Sequence, residues 1–139
     1  MDNWLPAYAQ QLSNLTRDNL PLLFESLATD VEFRDPFNHS YSRQAFLSIL
    51  EDMFTRLNDV SFTIHGMQEN DREGSLYWTF SASSPSMGVI KFEGMSRVVA
   101  DEHCRIILHH DFWDASELMQ KIPVLGTVIR QIRKKLSHT

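Results

Sequence analysis

Ile106-Ile107-Leu108-His109-His110-Asp111-Phe112-Trp113-Asp114 reads as a strand that runs straight into a helix. The apolar start supplies the strand. Asp114-Ala115-Ser116-Glu117 fits a capping box, with Asp114 as N-cap and Glu117 three residues on. Side chains alternate between the two faces of a strand. His109, Asp111 and Trp113 therefore point one way, and Ile106, Leu108, His110 and Phe112 the other. An imidazole, a carboxylate and an indole then share one face at the end of a strand. That face suits a pocket wall better than a plain core face, where an unpaired carboxylate is costly.

Working backwards, Val60 to Trp113 reads as a four-strand meander. Val60, Phe62 and Ile64 alternate first. Leu76, Trp78, Phe80 and Ala82 follow, then Ile90, Phe92, Gly94, Ser96 and Val98. Turn chemistry separates them at Asn70–Gly74, Ser84–Gly88 and Ala100–His103. Upstream, a helix is expected near Pro6, with Tyr8, Leu12 and Leu15 on one stripe. A second follows Asn19, with Pro21 in its first turn and Leu23, Phe24 and Leu27 as its apolar side. Val31-Glu32-Phe33-Arg34 alternates as a short strand that Asp35-Pro36 stops, because proline drives the preceding residue out of the helical region. Ser42 can cap a third helix carrying Phe46, Ile49, Leu50, Met53, Phe54 and Leu57 at helical spacing. Helices then close the chain from Ala115 to about Leu136, interrupted at Pro123. Helices, a strand, a helix and a run of antiparallel strands make an α+β domain.

Composition narrows the function. The 139 residues are enough for one domain, and 42% apolar with 11% aromatic is ordinary for a globular chain. No apolar run approaches the ~20 residues that span a bilayer. Met1-Asp2-Asn3-Trp4 lacks a signal-peptide start, and Cys104 stands alone, so a reducing cytoplasm is the expected location. The net charge of −5 divides unevenly: residues 121–139 carry +5 without one acidic residue, and residues 1–120 carry −10. A negative body argues against nucleic-acid binding.

The Asp-Pro pair after the first strand and the His-Asp-Phe-Trp-Asp stretch at the end of the last resemble the nuclear transport factor 2 (NTF2)-like superfamily. Within it the chain is most similar to SnoaL-like proteins, which include polyketide cyclases, ketosteroid isomerases and limonene epoxide hydrolases. The resemblance spans about residues 5–120. It implies a cone in which a curved antiparallel sheet wraps around N-terminal helices and leaves an apolar cavity, and it implies a homodimer joined through the sheet. In ketosteroid isomerases the base is the Asp of an Asp-Pro pair, here Asp35. Their oxyanion hole uses a first-helix tyrosine, for which Tyr8 stands, and a protonated acid, which Gly94-Met95-Ser96 lacks. In the epoxide hydrolases a catalytic Asp lies in a Trp-Arg-Asp-Tyr-Phe-Asp stretch, which maps onto Asp111. Their Arg-x-Asp pair has no counterpart in Leu76-Tyr77-Trp78-Thr79-Phe80. Each set is half present, so the resemblance implies the fold and leaves the reaction open.

The candidate catalytic residues are Asp111, His109 and Asp35. Asp111 in an apolar cavity suits a general base near neutral pH, against a plainer role as acceptor at a helix start. His109 can hold or relay a proton beside it, or simply pack. Asp35 can be a base, or turn chemistry before a proline. Tyr8, Trp78, Phe80, Phe92 and Trp113 are the expected ligand-binding wall. No metal site is expected, since His109 and Asp111 are too few ligands, and no cofactor is expected. Cys104 has no setting that would activate it.

The reading is a domain over 1–120 and a basic amphipathic helix over 121–139 packed on or next to it. Its cavity takes a small apolar or amphipathic molecule, with acid–base chemistry of isomerase, cyclase or hydrolase type. The alternative is a non-catalytic ligand-binding or dimerisation module. For the tail, docking of its apolar side on the acidic body is set against contact with a membrane surface.

Overall fold

Leu5, Tyr8, Ala9 and Leu12 recur at helical spacing, and the burial of this stripe turns α1 (Trp4–Ser13) against the rest of the chain. The computed structural model describes residues 3–137. α2 (Leu20–Glu25) follows, with proline in its first turn. It ends sooner than its apolar spacing predicts. Leu27 opens β1 (Leu27–Arg34) instead of closing the helix, because it pairs in register with Ile106 across the sheet. Tertiary pairing has overridden a weak local preference. The turn at Asp35–Asn38 returns the chain to β2 (His39–Ser40). α3 (Arg43–Arg56) starts where Ser42 Oγ accepts the Ala45 N–H at 3.1 Å.

The meander is β3 (Asn58–Asn70), β4 (Glu73–Ser84), β5 (Gly88–Ala100) and β6 (Ile106–Trp113). The sheet is curved and unclosed, in the order β2-β1-β6-β5-β4-β3. It is mixed rather than wholly antiparallel, since β1 runs parallel to β6. The fold is α+β, with the concave face of the sheet holding the helices. Leu76, Trp78, Phe80, Ala82, Ile90 and Val98 are buried on that face. Phe33 of β1 stacks on Phe46 of α3 with centroids 4.2 Å apart. Burying a side chain of this size contributes roughly 1.5–3 kcal/mol.

One parity assignment fails. Ile106 is 1% exposed and belongs to the core, not to the face of Leu108. The register steps from Val99↔Leu108 to Ala100↔Ile106, which leaves Ile107 as an extra residue in β6. Such a bulge reverses the facing of everything before it.

The chain ends in α4 (Ala115–Met119) and α5 (Leu125–Leu136). Asp114 caps α4, its Oδ1 accepting the Ser116 N–H at 3.0 Å. Its carboxyl is held below the ordinary range mainly by the Ser116 hydroxyl. A tight turn joins the two helices. Leu125 N–H donates to Pro123 O at 2.8 Å around Val124, whose φ is +71°. The expected docking of the apolar side of α5 on the body is not what the helix does. Its contacts with α4 run through Gly126 and two arginines, and Leu125, Val128, Ile132 and Leu136 stay exposed.

Candidate functional site

Five side chains from four elements form one line of hydrogen bonds. Tyr8 Oη of α1 meets His109 Nδ1 of β6 at 2.7 Å. His109 Nε2 meets Asp111 Oδ1 at 2.7 Å. Ser96 Oγ of β5 donates to the same Oδ1 at 2.5 Å. Trp78 Nε1 of β4 donates to Ser96 Oγ at 2.8 Å. With Asp111 ionised and His109 neutral, the donor inventory allows one direction throughout: Tyr8 O–H to His109, His109 N–H and Ser96 O–H to Asp111, Trp78 N–H to Ser96. Burial and the charge of Asp111 push the Tyr8 hydroxyl well above its ordinary value, which keeps it a donor.

Sheet register builds this line. Ser96 stands opposite Asp111 on β6, and Trp78 stands opposite Gly94 on β5. The indole lies over Gly94, where any Cβ would collide with the ring. That close approach lets Nε1 reach Ser96 on the next inward position. His109 is clasped by rings: Tyr8, Phe33 and Phe46 have centroids 5.7, 5.6 and 5.4 Å from it. The imidazole side chain is 5% exposed and the Asp111 side chain 18%, so the carboxylate is the open end of the pair. Asp111 Oδ2 accepts no hydrogen bond from the described residues.

Asp111 and His109 line a cavity of about 670 Å³ between the concave sheet and α3. Trp78, Phe80, Phe92 and Trp113 also line it, and Phe92 stacks on Trp113 at 4.3 Å. Met53 and Ile49 of α3 and Phe62 and Ile64 of β3 complete the apolar wall. Tyr8 is not in that wall. It stands behind His109, buried, and touches the cavity only through that ring. Asp35 borders the cavity, but its Oδ1 accepts Phe37 N–H at 2.8 Å, Asn38 N–H at 2.7 Å and Asn38 Nδ2 at 3.1 Å. The turn occupies that carboxylate, and no hydrogen bond joins it to His109 or Asp111. Phe37 of the same turn sits edge-on to Trp113 at 5.6 Å.

Ser96 is the member that sequence reasoning missed. Its inward position was legible from the alternation of β5, but its partners depend on the pairing of β5 with β4 and β6. The cavity wall supplied by α3 and β3 was legible only as core.

A curved, unclosed sheet folded around N-terminal helices matches the NTF2-like cone fold. The sequence model of the SnoaL-like domain matches residues 8–109, and the chain belongs to that family. No curated protein matches the sequence. Among solved structures it is similar to an NTF2-like protein of unknown function from Burkholderia pseudomallei. The TM-score is 0.77 at 14% identity, covering 89% of this chain and 100% of the other. It is also similar to an LEH-like epoxide hydrolase of M. tuberculosis, with TM-score 0.69, 16% identity and coverage of 94% and 93%. A third is a protein with a ketosteroid isomerase-like fold from Catenulispora acidiphila, in complex with trimethylamine. Its TM-score is 0.74 at 12% identity, covering 88% and 95%. At these identities the likeness concerns the fold.

Proposed function

We propose that the cavity binds a small apolar or amphipathic molecule and that Asp111 acts on it as a general base without a cofactor. One observation carries this reading: Asp111 Oδ1 is held by two donors, Oδ2 has no partner among the described residues, and Asp111 belongs to a cavity wall rich in aromatic rings. A carboxylate held by one oxygen is oriented, and its other oxygen is available for a proton. Oδ2 would take a proton from a carbon acid, or from a water that attacks an electrophilic carbon. The proton would then return to the product or to solvent. His109 and Ser96 are positioning residues in this scheme. Trp78, Phe80, Phe92 and Trp113 hold the apolar part of the molecule. Asp35 is the less available carboxylate, because its turn already claims it.

A base of this kind can be tested without knowing the natural substrate. A nitrobenzisoxazole loses one C–H proton to a carboxylate, its N–O bond breaks, and a coloured cyanophenolate forms. Full-length protein is expected to speed this reaction above free acetate, and Asp111→Asn to lower the rate by roughly 10²-fold or more. Asp35→Asn is expected to leave it unchanged. An unchanged rate in Asp111→Asn, or no acceleration by the unmodified protein, overturns the catalytic part. Quenching of Trp78 and Trp113 fluorescence by apolar compounds would then read binding alone.

The outer face of the sheet favours pairing of two copies. Tyr77, Met95 and Phe112 stand in one cross-strand row, exposed by 38%, 49% and 52%. Val89, further along β5, is exposed as well. We propose a homodimer through this face, in a cytoplasmic setting, since a chain with one cysteine forms no intramolecular disulfide.

A further inference from the structure

We infer that α5 is an interfacial anchor that lays the protein on an anionic lipid bilayer. At 3.6 residues per turn, Leu125, Val128, Ile129, Ile132 and Leu136 fall in one stripe roughly 100° wide. Arg133 borders that stripe on one side and Lys135 on the other, with Arg130 and Lys134 across the helix. No acidic residue follows Glu117.

The orientation of the helix is the second observation. α5 is fastened by its polar side. Arg130 Nη1 donates to Gln120 O at 2.8 Å, and Arg133 Nη1 reaches Ser116 Oγ at 3.2 Å and Glu117 Oε1 at 3.3 Å. Gly126 permits the approach, since a Cβ there would collide with the Gln120 carbonyl. Held this way, the helix turns its apolar stripe outward, and Val128, Ile132 and Leu136 are exposed by 47%, 48% and 77%. The tight turn before it leaves Val124 81% exposed at the same end.

The borders of the stripe choose its occupant. A narrow apolar stripe with cations on both margins matches a bilayer interface, where the stripe enters the acyl boundary and lysine and arginine reach up to phosphate and carboxylate headgroups. The body is acidic, so it would be held away from the same surface while the helix is drawn to it. Twelve residues of helix are about 18 Å long, enough to lie in the interface and too short to cross. No helix among the described residues is long and apolar enough to span a membrane. The inference stands whatever the cavity binds.

Co-sedimentation with vesicles tests it. Full-length protein is expected to pellet with phosphatidylcholine vesicles that contain phosphatidylserine and to stay in solution with phosphatidylcholine alone. Raising the salt should release it, because screening shortens the reach of the surface potential. Lys135→Gln, at the margin of the stripe, should weaken partitioning roughly 5-fold, the value for one cation near an anionic surface. Ile132→Glu should abolish pelleting while the far-ultraviolet spectrum of the domain is unchanged. Protein that stays in solution with both vesicles overturns the inference, and so does pelleting that Ile132→Glu leaves intact. If vesicles bind nothing and Ile132→Glu instead splits a dimer in sedimentation velocity, the stripe is a protein interface and not an anchor.

Discussion

Asp111 shares one oxygen between His109 and Ser96, and that single fact organises the residue scale. Ser96 also accepts the buried Trp78 N–H. Ser96→Ala therefore removes a donor to the carboxylate and leaves an indole N–H without an acceptor, at a cost of about 1–3 kcal/mol. Chemical denaturation should show that loss, and Ser96→Thr should recover much of it. Tyr8 gives a pH prediction. Its folded value is raised above the ordinary 10.0, chiefly by burial and then by Asp111. Below that ordinary value the hydroxyl is protonated in both states. Above it the unfolded chain sheds the proton first, so stability should fall as pH rises into the alkaline range. Tyr8→Phe should flatten that decline, although it leaves His109 Nδ1 without its partner and lowers stability near neutral pH. A wild-type alkaline slope equal to that of Tyr8→Phe would refute the assignment. His109, Asp111 and Trp113 were legible as one face because strand parity is local. The Tyr8–His109 bond joins residues 101 positions apart, and no local pattern encodes it.

Among elements, the pairing of β4 with β5 contains a demanding contact. Trp78 lies on Gly94, and a methyl group there meets the ring head-on. Gly94→Ala should push the indole away from Ser96, shift the tryptophan emission, and lower stability by about 1–3 kcal/mol as overpacking does. The test is whether the emission shift and the loss of stability appear together. Helix α5 makes the opposite case. Its apolar stripe is exposed and it is fastened to α4 by polar contacts, so removing residues 121–139 should change the thermal midpoint of the domain little. A drop of several degrees would mean that the helix buries apolar surface after all. Sequence periodicity found all four strands of the meander and the Ser42 cap of α3. It did not find the parallel pairing of β1 with β6 or the bulge at Ile107, because both are decided by partners distant along the chain. The facing of α5 differs for another reason: charge balance points its apolar side inward, while Gly126 and two arginines hold it by the other side.

The whole molecule has two faces that water meets unequally. The concave face is filled by helices and encloses the cavity, whereas the convex face presents the row Tyr77, Met95 and Phe112 across three strands. These three side chains sit on directly paired positions, so they form a continuous apolar band rather than scattered exposure. An isologous pairing would place this band against its own copy and remove it from water twice over. Sedimentation equilibrium at micromolar concentration should then give twice the 16.2 kDa chain mass. Met95→Lys puts a charge at the centre of the band and should shift the distribution to the single chain mass, while the cavity tryptophans keep their emission. The cavity lies on the other face, so its response to apolar quenchers should survive in the monomer. If Met95→Lys leaves the mass doubled, the copies meet elsewhere, and the exposed stripe of α5 becomes the surface to change next. If the unmodified protein sediments at a single chain mass, the convex band is solvent-facing in solution, and the pairing through the sheet is wrong.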